Sequence, residues 1–250
     1  MTAPSRSAPP ADPQVTSRVG VLMPAAGLGV RLGEGGPKAL RLVAGEPLLV
    51  HAVRRLRECP SVGPVVVAAP AADLEAMSAL LAAYDVVVVP GGAERQDSVR
   101  AALAALPAEV DLVLVHDAAR CFAPVEVVEA VIAALRGGAD AVVPVLPLAD
   151  TVKQVGGSTV VATVDRAALR AAQTPQGFRR TVLRRAHDAA AGPLTDDAGL
   201  VEALGLTVVT VPGSDEAFKV TRPLDLLLAE ALLAVLEPAA GRHAEGRHAG

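Results

Sequence analysis

The sequence predicts an α/β fold with a mostly parallel sheet between helices, and three observations support this prediction. Short runs rich in valine and leucine alternate with stretches of helical periodicity along most of the 250 residues. The runs are continuously apolar, as in strands that are covered by helices on both faces of the sheet. The links between the elements are short, which is typical of repeated strand–helix units in a doubly wound fold.

Four strand–helix units account for the chain up to Gly138. Strands are predicted for "RVGVLM", "PVVVAA", "DVVVVP" and "VDLVLVHD". Helices are predicted for "PLLVHAVRRLREC", "ADLEAMSALLAAY", "ERQDSVRAALAAL" and "APVEVVEAVIAALRGG". In the first of these helices, Leu49, Val53 and Leu56 recur at intervals of three and four residues, which places them on one face. That pattern indicates helices that pack one apolar side against the sheet.

The regular alternation stops after Pro147, where a polar segment begins. Two runs of β-branched and charged residues flank Gly156 and Gly157, and such a glycine pair indicates a hairpin turn. A polar hairpin has no core of its own. The segment of about residues 149–173 is therefore predicted to project and to find a partner, or to act as a lid. Helical patterns, the strand "LTVVTVP" and a closing helix from about Pro223 follow.

Composition and charge limit the classes of function. Residues 1–17 and 238–250 are predicted to be a disordered leader and tail on a single domain of residues 18–237. The net charge of −4 argues against a nucleic-acid-binding protein, whose surface is strongly basic. No apolar run reaches the roughly 18 residues of a membrane span, and the leader lacks the apolar core of a secretory signal. We therefore expect a cytoplasmic protein without nucleic-acid or membrane partners.

A glycine-rich loop, "MPAAGLGVRLGEGGPKAL", follows the first predicted strand. Its glycines are spaced one residue too widely for a dinucleotide fingerprint, and the hydroxyl residue after a Walker lysine is missing. Small residues still let backbone N–H groups approach an anion, and Arg31 and Lys38 add two cations. The alternative is a loop of solvated charges. Cations directly after the first strand favour a phosphorylated ligand at the carboxyl ends of the strands.

The fourth predicted strand ends in "VLVHDAARCF", which places three polar side chains at its carboxyl end. Asp117 is suited to Mg²⁺, which favours one or two carboxylates together with phosphate oxygens. Arg120 is suited to bind a phosphate with its two-pronged guanidinium. The alternative is that Asp117 caps the next turn and pairs with Arg120. We interpret His116 as a structural histidine in preference to a general base.

Three further segments carry candidate site residues. In "PGGAERQDSV", Ser98 is predicted to start a helix and to face a base or ribose, although Asp97 and Ser98 are equally suited to be plain caps. In "EAFKVTRPLDL", Lys219 precedes the closing helix. In "TVDRAALRAAQTPQGF", Arg166 and Thr174 lie around the hairpin.

Taken in order, these motifs carry a resemblance to a known family. They are "PAAGLGVRLGEGGPK", "GGAERQDSV", "VLVHDAAR", "DTVK", "TVDR", "QTPQGF", "TDDA" and "FKVTRPLDL". From about Val19 to Glu237 the chain resembles the 2-C-methyl-D-erythritol 4-phosphate cytidylyltransferases of the non-mevalonate isoprenoid pathway. The first loop alone indicates only the wider nucleotidyltransferase superfamily. The motif "VLVHDAAR" together with "TPQ" and "KVTRP" is much more specific.

The resemblance implies a Rossmann-like nucleotidyltransferase domain whose hairpin arm forms a homodimer. It implies transfer of CMP from CTP to 2-C-methyl-D-erythritol 4-phosphate, with Mg²⁺ or another divalent cation near Asp117 and catalytic roles for Arg31, Lys38 and Lys219. The implied CTP-binding residues are Pro24, Ala25, Ala26, Gly27, Gly29, Gly92, Ser98, Asp117 and Ala118. The implied acceptor-binding residues are Arg120, Thr151, Arg166 and Thr174. Arg166 is expected to reach the site of the neighbouring subunit.

Two positions depart from the family pattern, and two other functions stay open. Ala93 stands where the family often has Asp, and Cys121 stands where many members have Pro, but neither change removes a cation. A ribitol 5-phosphate cytidylyltransferase keeps the nucleotide loop and changes the acceptor pocket. A catalytically silent nucleotide-binding domain predicts loss of Arg31, Lys38 or Lys219, all of which are present.

Overall fold

The fold centres on a β-sheet, and its first strands and helices follow one another along the chain as predicted. The computed structural model describes residues 18–27, 32, 36–192 and 194–236. The expected leader, 1–17, and tail, 238–250, lie outside these residues, as do Gly29 and Arg31 of the glycine-rich loop.

The described residues form strands and helices in close agreement with the sequence patterns. The strands are β1 (Arg18–Pro24), β2 (Leu42–Val43), β3 (Glu46–Pro47), β4 (Val62–Ala69), β5 (Val86–Pro90), β6 (Val110–Val115), β7 (Ala141–Pro147), β8 (Val152–Gly156), β9 (Thr159–Val164), β10 (Arg170–Ala172), β11 (Gln176–Arg179) and β12 (Val208–Pro212). The helices are α1 (Leu48–Arg57), α2 (Leu74–Leu80), α3 (Arg95–Ala105), α4 (Val125–Arg136), α5 (Arg180–Asp188), α6 (Asp197–Ala203) and α7 (Pro223–Leu236). All four predicted strand–helix units are confirmed. The second helix is shorter than predicted because 3₁₀ turns replace both of its ends.

The main sheet has the order β10-β7-β11-β6-β1-β4-β5, and β12 also pairs with β7. The pairs β1–β4, β1–β6 and β4–β5 are parallel, which confirms the mostly parallel α/β sheet. The chain passes from β1 to β4 and β5 on one side and then crosses to β6 on the other side of β1. At such a switch point the loops after adjacent strands diverge and leave a crevice at the carboxyl edge. The short strand β11 runs antiparallel between β6 and β7, which the sequence patterns did not predict.

The core has two halves, one on each face of the sheet. Consecutive residues of β1 point to opposite faces, so Val21 and Met23 lie in one cluster and Leu22 lies in the other. Buried residues of α1, α2, α4 and α7 belong to the first cluster, and buried residues of α3, α5 and α6 belong to the second. Because helices cover both faces, the buried stretches of the central strands are continuously apolar, and the exposed Arg18 and Asp111 lie near the beginnings of β1 and β6.

The predicted hairpin is present as a separate two-stranded sheet made of β8 and β9. Its turn includes Gly157 at φ 61°, a left-handed conformation that favours glycine. The hairpin's valines do not join the core: Val161 is 65% exposed, and Val155 and Val160 are also exposed. The projecting hairpin is thus confirmed, whereas its partner stays a prediction. Among the residues that the structure places, no helix has the length and hydrophobicity needed to cross a membrane.

The Phe178→Ala substitution tests the second half of the core. Phe178 lies on β11 and is fully buried, so its removal leaves a cavity next to the central strands. We expect the free energy of unfolding, measured with urea, to fall by about 3–5 kcal/mol. The exposed Val235 on α7 is the control, and Val235→Ala should change that free energy by less than about 0.5 kcal/mol. Equal losses in the two variants would contradict this assignment of the core.

Candidate active site

A cavity of about 420 Å³ lies at the carboxyl edge of the sheet, where the loops after β1, β5 and β6 meet. It is lined by Pro24, Ala25, Ala26, Gly27, Leu32, Lys38, Ala39, Gly92, Ala93, Glu94, Arg95, Ser98, Asp117, Ala118, Ala119, Lys219 and Thr221. These residues come from four segments that are distant in the sequence. The cavity therefore occupies the crevice where open α/β sheets bind their ligands.

The loop after β5 lies against α3 because glycines occupy its two closest positions. A Cβ atom on Gly92 would lie 2.2 Å from the Cβ of Asp97, and one on Gly91 would lie 2.9 Å from the Cβ of Ala26. The backbone N–H of Gly92 donates to the Ser98 hydroxyl oxygen at 3.2 Å. The two glycines thus bring the loop beside the first turn after β1, and larger side chains would force the two loops apart.

The prediction that Ser98 starts a helix is wrong. Helix α3 begins at Arg95, because Glu94 and Asp97 form a capping box in which each side chain accepts a backbone N–H of the other residue. Ser98 is therefore inside the first turn. It lines the cavity but is only 1% exposed, and its hydroxyl bonds within the loop, to Gly92 and to the carbonyl of Glu94.

Asp117 is the acidic centre of the cavity and is bracketed by two cations. Its Oδ2 lies 2.6 Å from Lys219 Nζ, and its Oδ1 lies 3.5 Å from Arg95 Nη2. Burial disfavours the charged form, but the positive charges of Lys219 and Arg95 outweigh burial and hold the pKa of Asp117 well below its usual range. Asp117 is therefore ionised at neutral pH.

The predicted alternative, in which Asp117 pairs with Arg120, does not match the contacts of Arg120. Its guanidinium donates to the backbone carbonyls of Ala217 at 2.8 Å and Ala172 at 3.1 Å. Burial lowers the pKa of Arg120, and the nearby charge of Asp117 opposes that shift. Arg120 thus ties the segment before α7 to the strand end at β10, and its side chain does not line the cavity.

The backbone of Asp117 is fixed by a hydrogen bond with the buried side chain of Thr174. The Thr174 hydroxyl oxygen accepts the Asp117 N–H at 3.0 Å and lies 3.2 Å from His116 Nδ1. Burial lowers the pKa of His116 to about 4, so the imidazole is neutral at physiological pH. A neutral Nδ1 can accept the Thr174 hydroxyl proton. These contacts agree with the interpretation of His116 as a structural residue.

The predicted site residues divide into three groups. Those that line the cavity are Pro24, Ala25, Ala26, Gly27, Lys38, Gly92, Ser98, Asp117, Ala118 and Lys219. Gly29 and Arg31 lie outside the described residues. The four predicted acceptor-binding residues, Arg120, Thr151, Arg166 and Thr174, do not line it.

The two acceptor residues of the hairpin region are exposed on the same chain. Thr151 directly precedes β8, and Arg166 follows β9 and donates to the carbonyl of Ala149. Thr174, in contrast, is buried behind Asp117. The described residues predicted to bind the nucleotide therefore line the cavity, whereas the predicted acceptor residues of this chain lie away from it.

Arg95 is a cation of the cavity that the sequence analysis missed. Its Nη1 lies 2.6 Å from Asp197 Oδ2, and its Nη2 faces Asp117. Burial opposes the charge of Arg95, but Asp197 and Asp117 outweigh it and raise the pKa of Arg95. A cation at the start of the helix after β5 was visible in "GGAERQDSV". Its buried partner, however, is 102 residues away, so no local pattern marked the pair.

The two departures from the family pattern lie in different environments. Ala93 lines the cavity, so the lining lacks the carboxylate that the family often has at this position. Cys121 is buried and does not line the cavity, and burial raises the pKa of its thiol to about 12. Cys121 therefore fills space as an uncharged thiol.

One acidic residue of the cavity, Asp117, is suited to a divalent cation that binds together with phosphates. In the part of the chain that the structure describes, no three His, Cys, Asp or Glu residues cluster as a metal site. Mg²⁺ keeps several waters and is commonly bound by one or two carboxylates plus substrate phosphates. Asp117 provides one such carboxylate. The side chain of Glu94, the other acidic residue of the lining, is engaged in the capping box.

Comparison with known proteins gives one consistent family. The family model IspD, 2-C-methyl-D-erythritol 4-phosphate cytidylyltransferase, matches residues 19–235. The protein of that name from Streptomyces avermitilis is 56% identical over 231 residues, which cover 87% of this chain and 92% of the relative. The one from Saccharopolyspora erythraea is 58% identical over 219 residues, which cover 85% of this chain and 98% of the relative.

A solved structure agrees with the sequence relatives. The crystal structure of 2-C-methyl-D-erythritol 4-phosphate cytidylyltransferase from Thermus thermophilus superposes with a TM-score of 0.73 at 42% identity. The match covers 86% of this chain and 98% of that one. The resemblance of the sequence motifs is thus confirmed, and the chain belongs to the 2-C-methyl-D-erythritol 4-phosphate cytidylyltransferase family.

Proposed function

We propose that this protein transfers CMP from CTP to 2-C-methyl-D-erythritol 4-phosphate. The products are 4-diphosphocytidyl-2-C-methyl-D-erythritol, an isoprenoid precursor, and pyrophosphate. The observation that carries the proposal is the cavity at the carboxyl edge of the sheet, where Arg95 and Lys219 contact Asp117 and Lys38 joins the lining beside a loop of small residues. Membership of the family over residues 19–235 supplies the substrates.

The reaction joins two anions, so electrostatics governs the chemistry. The acceptor's phosphate oxygen attacks the α-phosphorus of CTP, and pyrophosphate leaves. A phosphate monoester has a second pKa near ~6 and is mostly a dianion at neutral pH, so no general base is needed. The neutral, buried His116 is in keeping with this scheme. The residues must instead offset the repulsion between the anions and the charge that grows on the leaving group.

The nucleotide is proposed to bind along the loop after β1. Pro24, Ala25, Ala26 and Gly27 line the cavity. Proline has no N–H and the Ala25 N–H donates to the carbonyl of Ala68, so the N–H groups of Ala26 and Gly27 are the ones proposed to face the phosphates. Gly92, Ser98 and Ala118 are proposed to contact the base and ribose. Gly29 and Arg31 are assigned to the same loop by family membership alone.

Lys38 and Lys219 are proposed to stabilise the transition state. Both line the cavity, although they lie on segments that are far apart in the sequence. The side chain of Lys219 is held by its contact with Asp117. Asp117 is also the proposed ligand of Mg²⁺ or another divalent cation. When bound, that cation would neutralise phosphate charge and favour departure of pyrophosphate.

The acceptor site is proposed to form between two chains. Arg120, Thr151, Arg166 and Thr174 are assigned to it from the family, and Arg166 is assigned to the site of the partner. Support comes from the exposed valines of the β8–β9 arm, which a single chain leaves uncovered. A homodimer that packs arm against arm would bury them and bring Arg166 toward the other cavity.

The lysine assignment is tested with Lys38→Ala and Lys219→Ala. We expect each substitution to lower kcat by about 10²–10³-fold, because each removes one charge that stabilises the reacting phosphates. The melting temperature should change little, since both side chains lie at the cavity rather than in the core. Arg18→Ala is the control, because Arg18 is an exposed cation that pairs with Glu109 at the far end of β1. A kcat near that of the wild type in either lysine variant would refute the assignment.

The substrates are tested by pyrophosphate release. The assay compares CTP with UTP and 2-C-methyl-D-erythritol 4-phosphate with ribitol 5-phosphate, each with Mg²⁺ and after chelation. We expect release only with CTP, the methylerythritol phosphate and the metal ion. Release with ribitol 5-phosphate would identify that compound as an acceptor and would contradict the proposed acceptor. No release with any pair would leave a nucleotide-binding domain without catalysis.

The shared acceptor site is tested by mixing two inactive variants, Arg166→Ala and Lys219→Ala. In a mixed dimer, the chain that carries Arg166→Ala keeps its own Lys219 and receives Arg166 from its partner. Random exchange should restore about a quarter of wild-type activity, because half of the dimers are mixed and each has one intact site. Mixtures that stay inactive although light scattering shows dimers that exchange subunits would contradict the assignment of Arg166.

A further inference from the structure

A buried ion pair lies directly beneath the cavity. Asp197, the first residue of α6, is 0% exposed. Its Oδ2 lies 2.6 Å from Arg95 Nη1, and its Oδ1 lies 2.9 Å from His187 Nε2. Arg95 in turn faces Asp117, whose other oxygen contacts Lys219. Four side chains of alternating charge thus run from the interior to the proposed catalytic lysine.

The local structure of α6 does not need the Asp197 carboxylate. The neighbouring residue Asp196 caps the helix, because its Oδ1 accepts the N–H of Gly199 at 3.0 Å. The other oxygen of Asp196 accepts a hydrogen bond from Gln176 at 2.7 Å. Both oxygens of Asp197 are therefore available to side chains that come from other elements.

A contribution to stability is also a weak explanation for the presence of the Arg95–Asp197 pair. A fully buried carboxylate loses its hydration, and a buried ion pair is commonly replaceable by apolar side chains without loss of stability. What an apolar pair cannot do is fix the direction of a guanidinium. Arg95 is the member of the pair that reaches the cavity lining, so the position of its guanidinium is what the buried carboxylate sets.

We propose that Asp197 is a positioning residue for the transfer reaction: it fixes Arg95, and Arg95 holds Asp117 in the orientation that directs Lys219 into the cavity. This inference rests on the proposed function. Arg95 contacts the carboxylates of Asp197 and Asp117. Asp117 in turn contacts two cations, Arg95 and Lys219, so both side chains are fixed by two ion pairs. Lys219, with a side chain 41% exposed, depends on this row for a defined position.

The effect should fall on turnover more than on nucleotide binding. The proposed nucleotide cradle is built from backbone after β1 and β5, and it does not include Asp197. A small displacement of Lys219 leaves that cradle intact but moves a charge away from the reacting phosphorus. Misplacement by about 1 Å can cost roughly 10²-fold in rate.

The test is a double-mutant cycle with Asp197→Asn and Arg95→Gln. Each single variant is expected to lose about 10- to 100-fold in kcat, as partners of active-site groups commonly do, while the calorimetric Kd for CTP changes by less than about threefold. If Asp197 acts through Arg95, the double variant should lose no more than Arg95→Gln alone. Losses that multiply would overturn the proposal, as would a wild-type kcat in Asp197→Asn.

Two further variants keep the test decisive. Arg95→Lys keeps the charge but lacks the fork that reaches both Asp197 and Asp117, so its kcat should match that of Arg95→Gln. A wild-type kcat in Arg95→Lys would overturn the proposal even if Asp197→Asn does not fold. Arg18→Gln is the control, because Arg18 forms an exposed pair with Glu109 at the far end of β1 and away from this row. A wild-type protein without activity would refute the proposed function, whereas multiplying losses in an active protein would refute only the positioning role.

Discussion

The contact between Lys219 and Asp117 joins two of the four segments of the chain that line the cavity. Asp117 stands at the end of a central strand, whereas Lys219 lies on the segment before α7. Backbone contacts keep that segment in place, since the N–H of Val220 donates to the carbonyl of Ala119 at 2.8 Å and Arg120 donates to the carbonyl of Ala217. The cavity therefore exists in its observed shape only when the last part of the described chain has docked on the sheet.

The charges of the cavity are arranged in advance of any ligand. Arg95 and Lys219 are each held by carboxylates of the same chain, so their positions do not depend on a bound anion. Preorganised charge of this kind is usually the largest contribution to catalysis of transfer between anions. The same carboxylates prevent the cations from repelling one another in the free protein. The acidic partners are thus as much a part of the cavity as its basic residues.

The sequence predicted what depends on local patterns and on motifs. Continuous valine runs predicted β1, β4, β5 and β6, and a glycine pair predicted the hairpin, because these signals need only neighbouring residues. The strand β11 was missed because four residues, "QGFR", have no strand pattern of their own and are placed by pairing on both sides. The Arg95–Asp197 pair was missed for a related reason, since its partners meet only after the whole domain has folded. Thr174 was predicted to bind the acceptor, and the sequence does not reveal that its hydroxyl accepts the backbone N–H of Asp117.

The exposed arm has a consequence for the chain during synthesis. A two-stranded sheet with uncovered valines presents unpaired backbone groups on its outer edges, and such edges promote association between unfinished chains. The arm also carries charges, and Lys153 on β8 bonds to the hydroxyl of Thr163 on β9. A lysine on an edge strand disfavours pairing with strands of other chains. The arm thus combines a surface that invites pairing with a charge that discourages aggregation.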